Sequence, residues 1–382
     1  MNHFTLKLTG LTMALSLLVG CGEQAQVPQE PSQEPLPNPQ HIEQVIRDNH
    51  LVDATVYAPE FPVSRTHTLQ SMQFDPETAL HTILPDDHSD FTTETGEFDR
   101  TVLTTGSGYT ITASPGELHL SLTDLNRNNR YGEMENLMER YSGSHKEEAS
   151  ADLDFMTMDQ AVAAGQELLQ DLGVSYTPKL QLSVGMRHDQ IMAYQQELLE
   201  RDKTLEFPEY DAFNNITMLN DLTQDDDGYY IVFGFTCDDL PVYGYSSEPN
   251  ISYTDGVFPP YGTYAQLLIT RSGIQSLLLV GMTQPVQSVN GQSLITAQEA
   301  LDLYIAYHEE HMQPVPEDQW AVPAIYLEYI ARHTDSGDVL TPYWCVVTKS
   351  KITNTLTGEQ SWGYPSGMRL NAQTGGNYAY GY

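Results

Sequence analysis

The sequence predicts an α+β fold in which residues 151–290 and 291–382 form two repeated units, each a helix followed by antiparallel strands. Both units open on a capping box, in which a Thr hydroxyl accepts from a helix amide while a Gln or Glu side chain binds back to the Thr amide. The two boxes are Thr157 with Gln160 and Thr296 with Glu299. With 40% hydrophobic residues among 382, the chain can bury a substantial core.

Residues 1–20 have the pattern of an export signal. One formal charge, Lys7, precedes an apolar run over 11–18 and the small residue Gly20. The sequence Leu-Val-Gly-Cys that ends at Cys21 resembles the lipobox of bacterial lipoprotein signals at all four positions. The resemblance implies acylation of the Cys21 thiol by fatty acids such as palmitate, cleavage before this residue, and a lipid anchor on the extracytoplasmic face of the cell membrane. The alternative is an ordinary signal peptide with a chance cysteine, or a buried helix.

Residues 21–40 follow as a segment dominated by Gln, Glu and Pro, with almost no apolar side chain to bury. This composition is typical of a disordered, partly extended tether. Such a tether would hold the folded part of the chain clear of the membrane.

Residues 41–150 are predicted to form an N-terminal α+β region. The apolar spacing favours a helix over 41–49, and strict alternation predicts a strand over 51–57. Asp75 followed by Pro76 predicts the start of a short helix. A meander of three strands is predicted at 101–105, 109–113 and 117–122, where Gly and Pro separate apolar runs.

The first repeated unit carries an insertion that the second lacks. Its opening helix has Ala161, Gly165 and Leu168 on one face, and Gly173 is placed to end that helix in the left-handed conformation. The insertion spans 174–227 and includes a predicted helix over 187–202. The predicted strands are 229–235 and 264–270 in the first unit, and 343–348 and 367–371 in the second.

Each capping box stands directly before an alanine, and the last strand ends in the run Asn-Ala-Gln-Thr-Gly over 371–375. This arrangement resembles the PepSY-like modules of exported bacterial proteins, over about 155–280 and 293–380. Combined with the lipobox, the chain looks like the lipoproteins of Gram-positive bacteria that carry such modules. The resemblance implies a non-catalytic role in binding or regulating other envelope proteins, and it transfers no active-site residue.

Charge and cysteine usage limit the partners and the redox chemistry. The chain has 52 acidic and 17 basic residues, a net charge of −35. Nucleic acid is excluded as a partner, because binding phosphates takes a clustered Lys/Arg face. The acidic surface keeps an exported protein soluble and can also gather cations. After Cys21 only Cys237 and Cys345 remain, and they can form one disulfide or stay as two free thiols.

One segment has the ligand spacing of a Ca²⁺ loop, which would make Ca²⁺ the one cofactor the sequence suggests. Oxygen-bearing side chains fall at loop positions 1, 3, 5 and 12, namely Asp124, Asn126, Asn128 and Glu135. Asn129 stands where such loops have Gly, and Arg127 and Arg130 would place positive charge beside the ion. A polar turn before a helix explains the same letters.

No catalytic residue can be assigned from motifs. His308 and His311 are spaced i and i+3 on the second capped helix, which favours an amphipathic helix end over a zinc site, and the run of acids at 225–227 before Gly228 is chiefly a turn signal. The chain also lacks a nucleophile elbow and a phosphate-binding loop.

Two function classes therefore remain. The first is a binding or regulatory lipoprotein for envelope proteins. The second is an envelope hydrolase or a receptor for a small ligand or cation, with its site between the two units. A deep pocket that collects carboxylates with a histidine would favour the second class, and shallow aromatic surfaces would favour the first.

Overall fold

Seventeen strands and five α-helices make up the described part of the chain, so the protein is mainly β. The computed structural model describes residues 38–47, 50–60, 62, 64–97, 99–122, 130–145, 151–204, 217–243, 263–291, 293–311, 319–334, 337–353, 360–362 and 366–376. The leader, most of the tether and Cys21 lie outside these residues. Within the same ranges, no helix combines the length and the apolar character needed to cross a bilayer.

The strands are numbered in chain order. They are β1 His41–Arg47, β2 His50–Tyr57, β3 Arg65–Ser71, β4 Phe91–Thr95, β5 Thr101–Thr105, β6 Tyr109–Ser114, β7 Glu117–Leu122, β8 Thr177–Met186, β9 Gly228–Cys237, β10 Leu240–Tyr243, β11 Tyr264–Thr270, β12 Gly273–Val280, β13 Thr283–Asn290, β14 Trp320–Thr334, β15 Gly337–Thr353, β16 Gln360–Trp362 and β17 Ser366–Asn371. The helices are α1 Pro76–Ile83, α2 Arg130–Ser144, α3 Met158–Asp171, α4 His188–Asp202 and α5 Ala297–His311.

The first of two strand arrays is an eight-stranded antiparallel sheet. Its order is β4-β5-β6-β7-β12-β11-β9-β8. Helices α1 and α3 cover one face of this sheet, and α2 and α4 cover the other. Burial on both faces explains why β9 is apolar at nearly every position instead of alternating.

The two faces of β9 show how one strand serves two cores. Tyr229, Ile231 and Phe233 belong to the main core with α1 and α3, while Tyr230 and Val232 belong to the second core with α2 and α4. Successive side chains of a strand point to opposite faces, so this alternation follows from the period of two. The eight-stranded sheet is thereby fixed between two helical layers.

The second array is built on a long hairpin of β14 and β15, of 15 and 17 residues. Near one end of the hairpin, β2 pairs in parallel with the edge of β14 that faces away from β15, and β1 pairs with β2. At the same end, β17 pairs with the opposite edge of the hairpin, on β15. Near the other end, β10 lies beside β14, and β3 with β13 lies beside β15. Helix α5 packs on β15. The β9–β10 hairpin links the two arrays.

The predicted fold class, two successive helix-plus-antiparallel-sheet units, is wrong. Strands from the N-terminal region pair with strands of the expected units: β7 pairs with β12, and β2 pairs with β14. Strand β3 lies between β13 and β15. The described residues from Asn38 onward belong to one compact unit. Residues 41–150, 151–290 and 291–382 thus contribute strands to shared sheets, because strand pairing is decided by partners far away in sequence.

Several local predictions are confirmed. Both capping boxes form, with Gln160 Nα 3.2 Å from Thr157 Oγ1 and Glu299 Nα 3.2 Å from Thr296 Oγ1. Gly173 has φ +77°, and the helix predicted over 187–202 is α4. The helix predicted over 41–49 is wrong: residues 41–47 are strand β1, because antiparallel pairing with β2 overrides a weak helical spacing of apolar residues.

Candidate functional site

A polar cleft of about 530 Å³ lies at the N-terminus of α4. It forms where the segment before α3, the first turn of α4 and the segment before β9 meet. The residues that line it are Asp152, Leu153, Asp154, Arg187, His188, Asp189, Gln224 and Asp227. We call it the acidic cleft. Its volume falls within the range of small-molecule sites.

Asp227 is the buried centre of the acidic cleft, with only 3% of its surface exposed. Its Oδ1 accepts from the amide of His188 at 2.8 Å and lies 2.7 Å from His188 Nδ1. The amide belongs to the first turn of α4, where unpaired N–H groups and the helix dipole favour a carboxylate. Asp227 therefore holds the start of α4 and orients the His188 ring at the same time.

Arg271, from the turn between β11 and β12, contacts two of the carboxylates that line the acidic cleft. Its guanidinium binds Asp154 in a close ion pair and lies 3.9 Å from Asp227 Oδ2. Asp154 also accepts from Gln224 Nε2 at 3.1 Å, and the guanidinium of Arg271 stacks over the Phe155 ring at 5.3 Å. Asp154 is more than half exposed, so it presents its charge to the cleft opening.

The remaining charges lie at the rim. Asp152 accepts from the Met158 amide at 2.8 Å, and Asp189 pairs with Arg187 at 3.1 Å. The hydrogen bond from Arg187 is the main cause that lowers the pKa of Asp189. Four carboxylates thus face two guanidinium groups and one imidazole, which leaves the acidic cleft with an excess of negative charge.

The polar side chains that line the acidic cleft are carboxylates, one guanidinium group, one imidazole and one amide. Among the described residues that line the acidic cleft there is no Ser, Thr or Cys to act as a nucleophile. The two cysteines lie elsewhere. Burial raises the pKa of the Cys237 thiol to about 11 and that of Cys345 to about 12, so neither is a thiolate at neutral pH.

The disulfide considered from the sequence is not formed. Both cysteines are free thiols, Cys237 half-buried at the end of β9 and Cys345 buried in the middle of β15. The second outcome left open above is therefore the one the structure has. Neither cysteine reaches the acidic cleft.

Of the four proposed Ca²⁺ ligands, Asp124, Asn126 and Asn128 lie outside the described residues. Glu135 lies in α2, on the face that packs against β12, where its carboxyl group is hydrogen-bonded to Ser276. Its Oε1 is buried and has no partner within the described structure. Burial raises the pKa of Glu135 to about 7. The Ca²⁺ loop stays a prediction. To bind Ca²⁺, the Glu135 carboxyl group would have to leave its position against the sheet.

The pKa of Glu135 is raised in the folded state, so the folded state is favoured while this carboxyl group is protonated. The free energy of unfolding therefore falls as the pH rises from about 4.5 to about 7. We expect Glu135→Gln, which keeps a hydrogen-bonding group without the charge, to stabilise the protein by up to about 3 kcal/mol at pH 8 and by little below pH 4.5. Denaturant unfolding at both pH values measures this difference. The control is Glu43→Gln on exposed β1, and an equal effect of the two variants would refute the buried-carboxyl explanation.

The His308 region is an aromatic cluster. The His308 ring lies 5.2 Å from the ring of His50, 5.4 Å from that of Tyr304 and 5.1 Å from that of Trp320. The side chain of His311 is outside the described set. This packing agrees with the interpretation of an amphipathic helix end.

Two elements of the acidic cleft can be predicted from the sequence, but their contact with each other cannot. The sequence predicts the turn at 225–227 and the helix beginning near Arg187, and both form. It does not single out His188, Asp154 or Arg271. His188 and Asp227 are 39 residues apart, and Arg271 and Asp154 are 117 residues apart. The polar residues just before α3 and just before β9 are the signal in the sequence that could have indicated this site. The cleft lies inside the first expected unit and not between the two.

No protein-family model matches the chain, and no curated protein matches it. A crystal structure of an uncharacterized protein from Eubacterium rectale is similar, with a TM-score of 0.55 and 15% sequence identity, over 90% of this chain and 94% of that chain. The similarity extends to nearly the full length of both chains. At this identity it shows the fold alone, because a shared fold does not carry a function.

Proposed function

We propose that the protein is a lipid-anchored binding protein of the extracytoplasmic membrane face, and that its acidic cleft takes a small cationic ligand. The observation that carries this proposal is the excess of carboxylates in the cleft, with no Ser, Thr or Cys among its described lining residues. Such a cleft is expected of a small-ligand receptor and not of a module with shallow aromatic surfaces.

The charge distribution supports a cationic ligand in two ways. Asp227, Asp189 and Asp154 are paired with His188, Arg187 and Arg271, and Asp152 accepts from the Met158 amide. Asp152 and Asp154 are nevertheless exposed at the opening. A cleft lined by one sign of charge focuses the field and raises the local concentration of the opposite charge. The chain as a whole, at −35, adds to the same potential. An amine or guanidinium group would pair with Asp152 at the opening and lie beside the exposed carboxylate of Asp154.

The anchor and the protein partner are parts of the same proposal. The lipobox residue Cys21 would fix the chain to the membrane, and the tether over 21–40 would let the acidic cleft reach ligand in the surrounding space. An envelope protein that receives the ligand-bound state is the partner we infer. Val45 and Leu51, paired across β1 and β2 and both largely exposed, offer an apolar contact surface for it.

A matched pair of ligands tests the charge requirement. L-arginine and L-citrulline have nearly the same shape, but citrulline lacks the positive side-chain charge. We expect arginine or a polyamine such as spermidine to raise the unfolding temperature of the full chain, by the equivalent of about 2.7 kcal/mol at a concentration of about a hundred times Kd. Citrulline should have no effect. Equal stabilisation by arginine and citrulline, or none by any cation, would argue against the cleft as a cation site.

A further inference from the structure

A second cluster of polar side chains lies where the β9–β10 hairpin joins the two strand arrays, away from the acidic cleft. It consists of His67 from β3, Cys237 at the end of β9, and Asp238 in the hairpin turn. The three ligand atoms all lie within 4.8 Å of one another. No motif in the sequence announces this cluster, because His67 is 170 residues from Cys237.

The distances are close to those of a metal centre. His67 Nε2 is 3.1 Å from Asp238 Oδ2 and 3.8 Å from Cys237 Sγ. A tetrahedral ion with Zn–N and Zn–O bonds of about 2.0–2.1 Å and a Zn–S bond of about 2.3 Å places such atoms about 3.3–3.6 Å apart. Shifts of a few tenths of an ångström would bring these two pairs to that spacing, and the third pair, Cys237 Sγ with the Asp238 carboxylate, lies within 4.8 Å and would have to close to the same spacing.

Neighbouring residues orient two of the three ligands. His67 Nδ1 lies 2.8 Å from Ser288 Oγ, and the histidine side chain is only 4% exposed. The second nitrogen of a metal-binding histidine is usually held by a partner of this kind. Arg65 holds Asp238 Oδ1 at 3.0 Å, which leaves Oδ2 turned toward His67. The tautomer with its proton on Nδ1 can donate to Ser288 and leave the Nε2 lone pair for an ion.

The hairpin turn shows that the position of Asp238 is specified by the fold. Asp238 and Asp239 have φ of +48° and +63°, a conformation that two-residue hairpins normally give to Asn or Gly. Asp238 is kept in it by Arg65 and by Tyr329, whose hydroxyl donates to Oδ2 at 3.4 Å. The carboxylate is thus delivered directly beside the Cys237 thiol.

We propose that His67, Cys237 and Asp238 form a binding site for Zn²⁺, with the fourth coordination position open to water. A thiolate with an imidazole selects a borderline transition metal over Ca²⁺ or Mg²⁺, which take oxygen ligands alone. Binding replaces the thiol proton of Cys237, which leaves to solvent, with a Zn–S bond. The thiolate and the carboxylate neutralise the charge of the ion. This site does not depend on the proposed function of the acidic cleft.

Co²⁺ substitution tests the site directly, because a thiolate bound to Co²⁺ produces a charge-transfer band and a tetrahedral centre produces visible d–d bands. The experiment uses the full-length chain with Cys21→Ser, without a histidine tag, so that Cys237 and Cys345 are the only thiols. We expect one Co²⁺ per chain with both signals, and stoichiometric displacement by Zn²⁺.

Two cysteine variants form the matched control. Cys237→Ser should abolish the charge-transfer band and weaken Zn²⁺ binding at least about a hundredfold, while Cys345→Ala should keep both. Asp238→Asn should leave the charge-transfer band but weaken binding, and Ser288→Ala should weaken it about tenfold. Lack of saturable Co²⁺ binding, a band that survives in Cys237→Ser, or a band lost only in Cys345→Ala would each overturn the proposal.

Discussion

Replacement of Arg369 by methionine is expected to lower the free energy of unfolding by about 3–5 kcal/mol, because it leaves the buried Glu328 carboxylate without its partner. Arg369 in β17 reaches across β15, and its Nε donates to Glu328 Oε1 in β14 at 3.0 Å. The guanidinium also lies 4.1 Å from the centre of the Tyr243 ring. Burial raises the pKa of Glu328 even though the nearby Arg369 acts in the opposite direction.

Denaturant unfolding near neutral pH measures this effect, and an exposed pair supplies its control. Arg187 and Asp189 are joined at 3.1 Å but are more than half exposed, so Arg187→Met should cost at most about 1 kcal/mol. The double variant Arg369→Met with Glu328→Gln should recover much of the loss, because the unpaired charge is removed. A loss in Arg369→Met no larger than that in Arg187→Met would contradict the buried ion pair.

Replacement of Cys21 by serine is expected to abolish fatty-acid labelling of the chain. Transfer of the lipid requires the thiol, which serine lacks. Each buried CH₂ of an acyl group contributes about 0.8 kcal/mol to the free energy of membrane binding. Loss of the acyl groups therefore removes the attachment that holds the protein on the bilayer. Growth of expressing cells with labelled palmitate, followed by detergent phase partitioning, measures both label and attachment.

The control for this experiment is Cys237→Ser, which removes a thiol of the folded part and leaves Cys21 in place. It should retain the label and stay in the detergent phase. If the chain with Cys21→Ser still incorporates palmitate, the lipobox interpretation is wrong, and the proposal of a membrane-anchored protein loses its basis.

Local structure could be predicted where a few neighbouring residues decide it. The Thr157 and Thr296 capping boxes and the left-handed Gly173 each depend on hydrogen bonds or backbone geometry within one turn. Pairing could not be predicted in this way. His67 and Ser288 are hydrogen-bonded although they lie 221 residues apart. The alternation of apolar residues in β3 and in β13 does not indicate that these two strands pair with each other.

The acidic cleft and the metal cluster follow the same rule. The sequence identified the acids at 225–227 as a turn, which is correct, but burial of Asp227 under α4 arises only when β8 and β9 pair. The small number of cysteines indicates a disulfide as one state of Cys237, whereas its contact with His67 depends on where the β9–β10 hairpin meets β3. Sites assembled from several strands become visible only with the topology.

Calorimetric titration of the full chain with arginine, before and after neutralising the cleft opening, is the most direct test of the proposed function. The double variant Asp152→Asn with Asp154→Asn keeps the hydrogen-bonding shape of both side chains and removes two exposed charges. At about 1 kcal/mol for each charge, affinity should fall about thirtyfold, while Asp171→Asn, an exposed acid at the end of α3, should leave it unchanged. Equal affinity in the double variant and the wild type would show that the acidic cleft does not bind the cation.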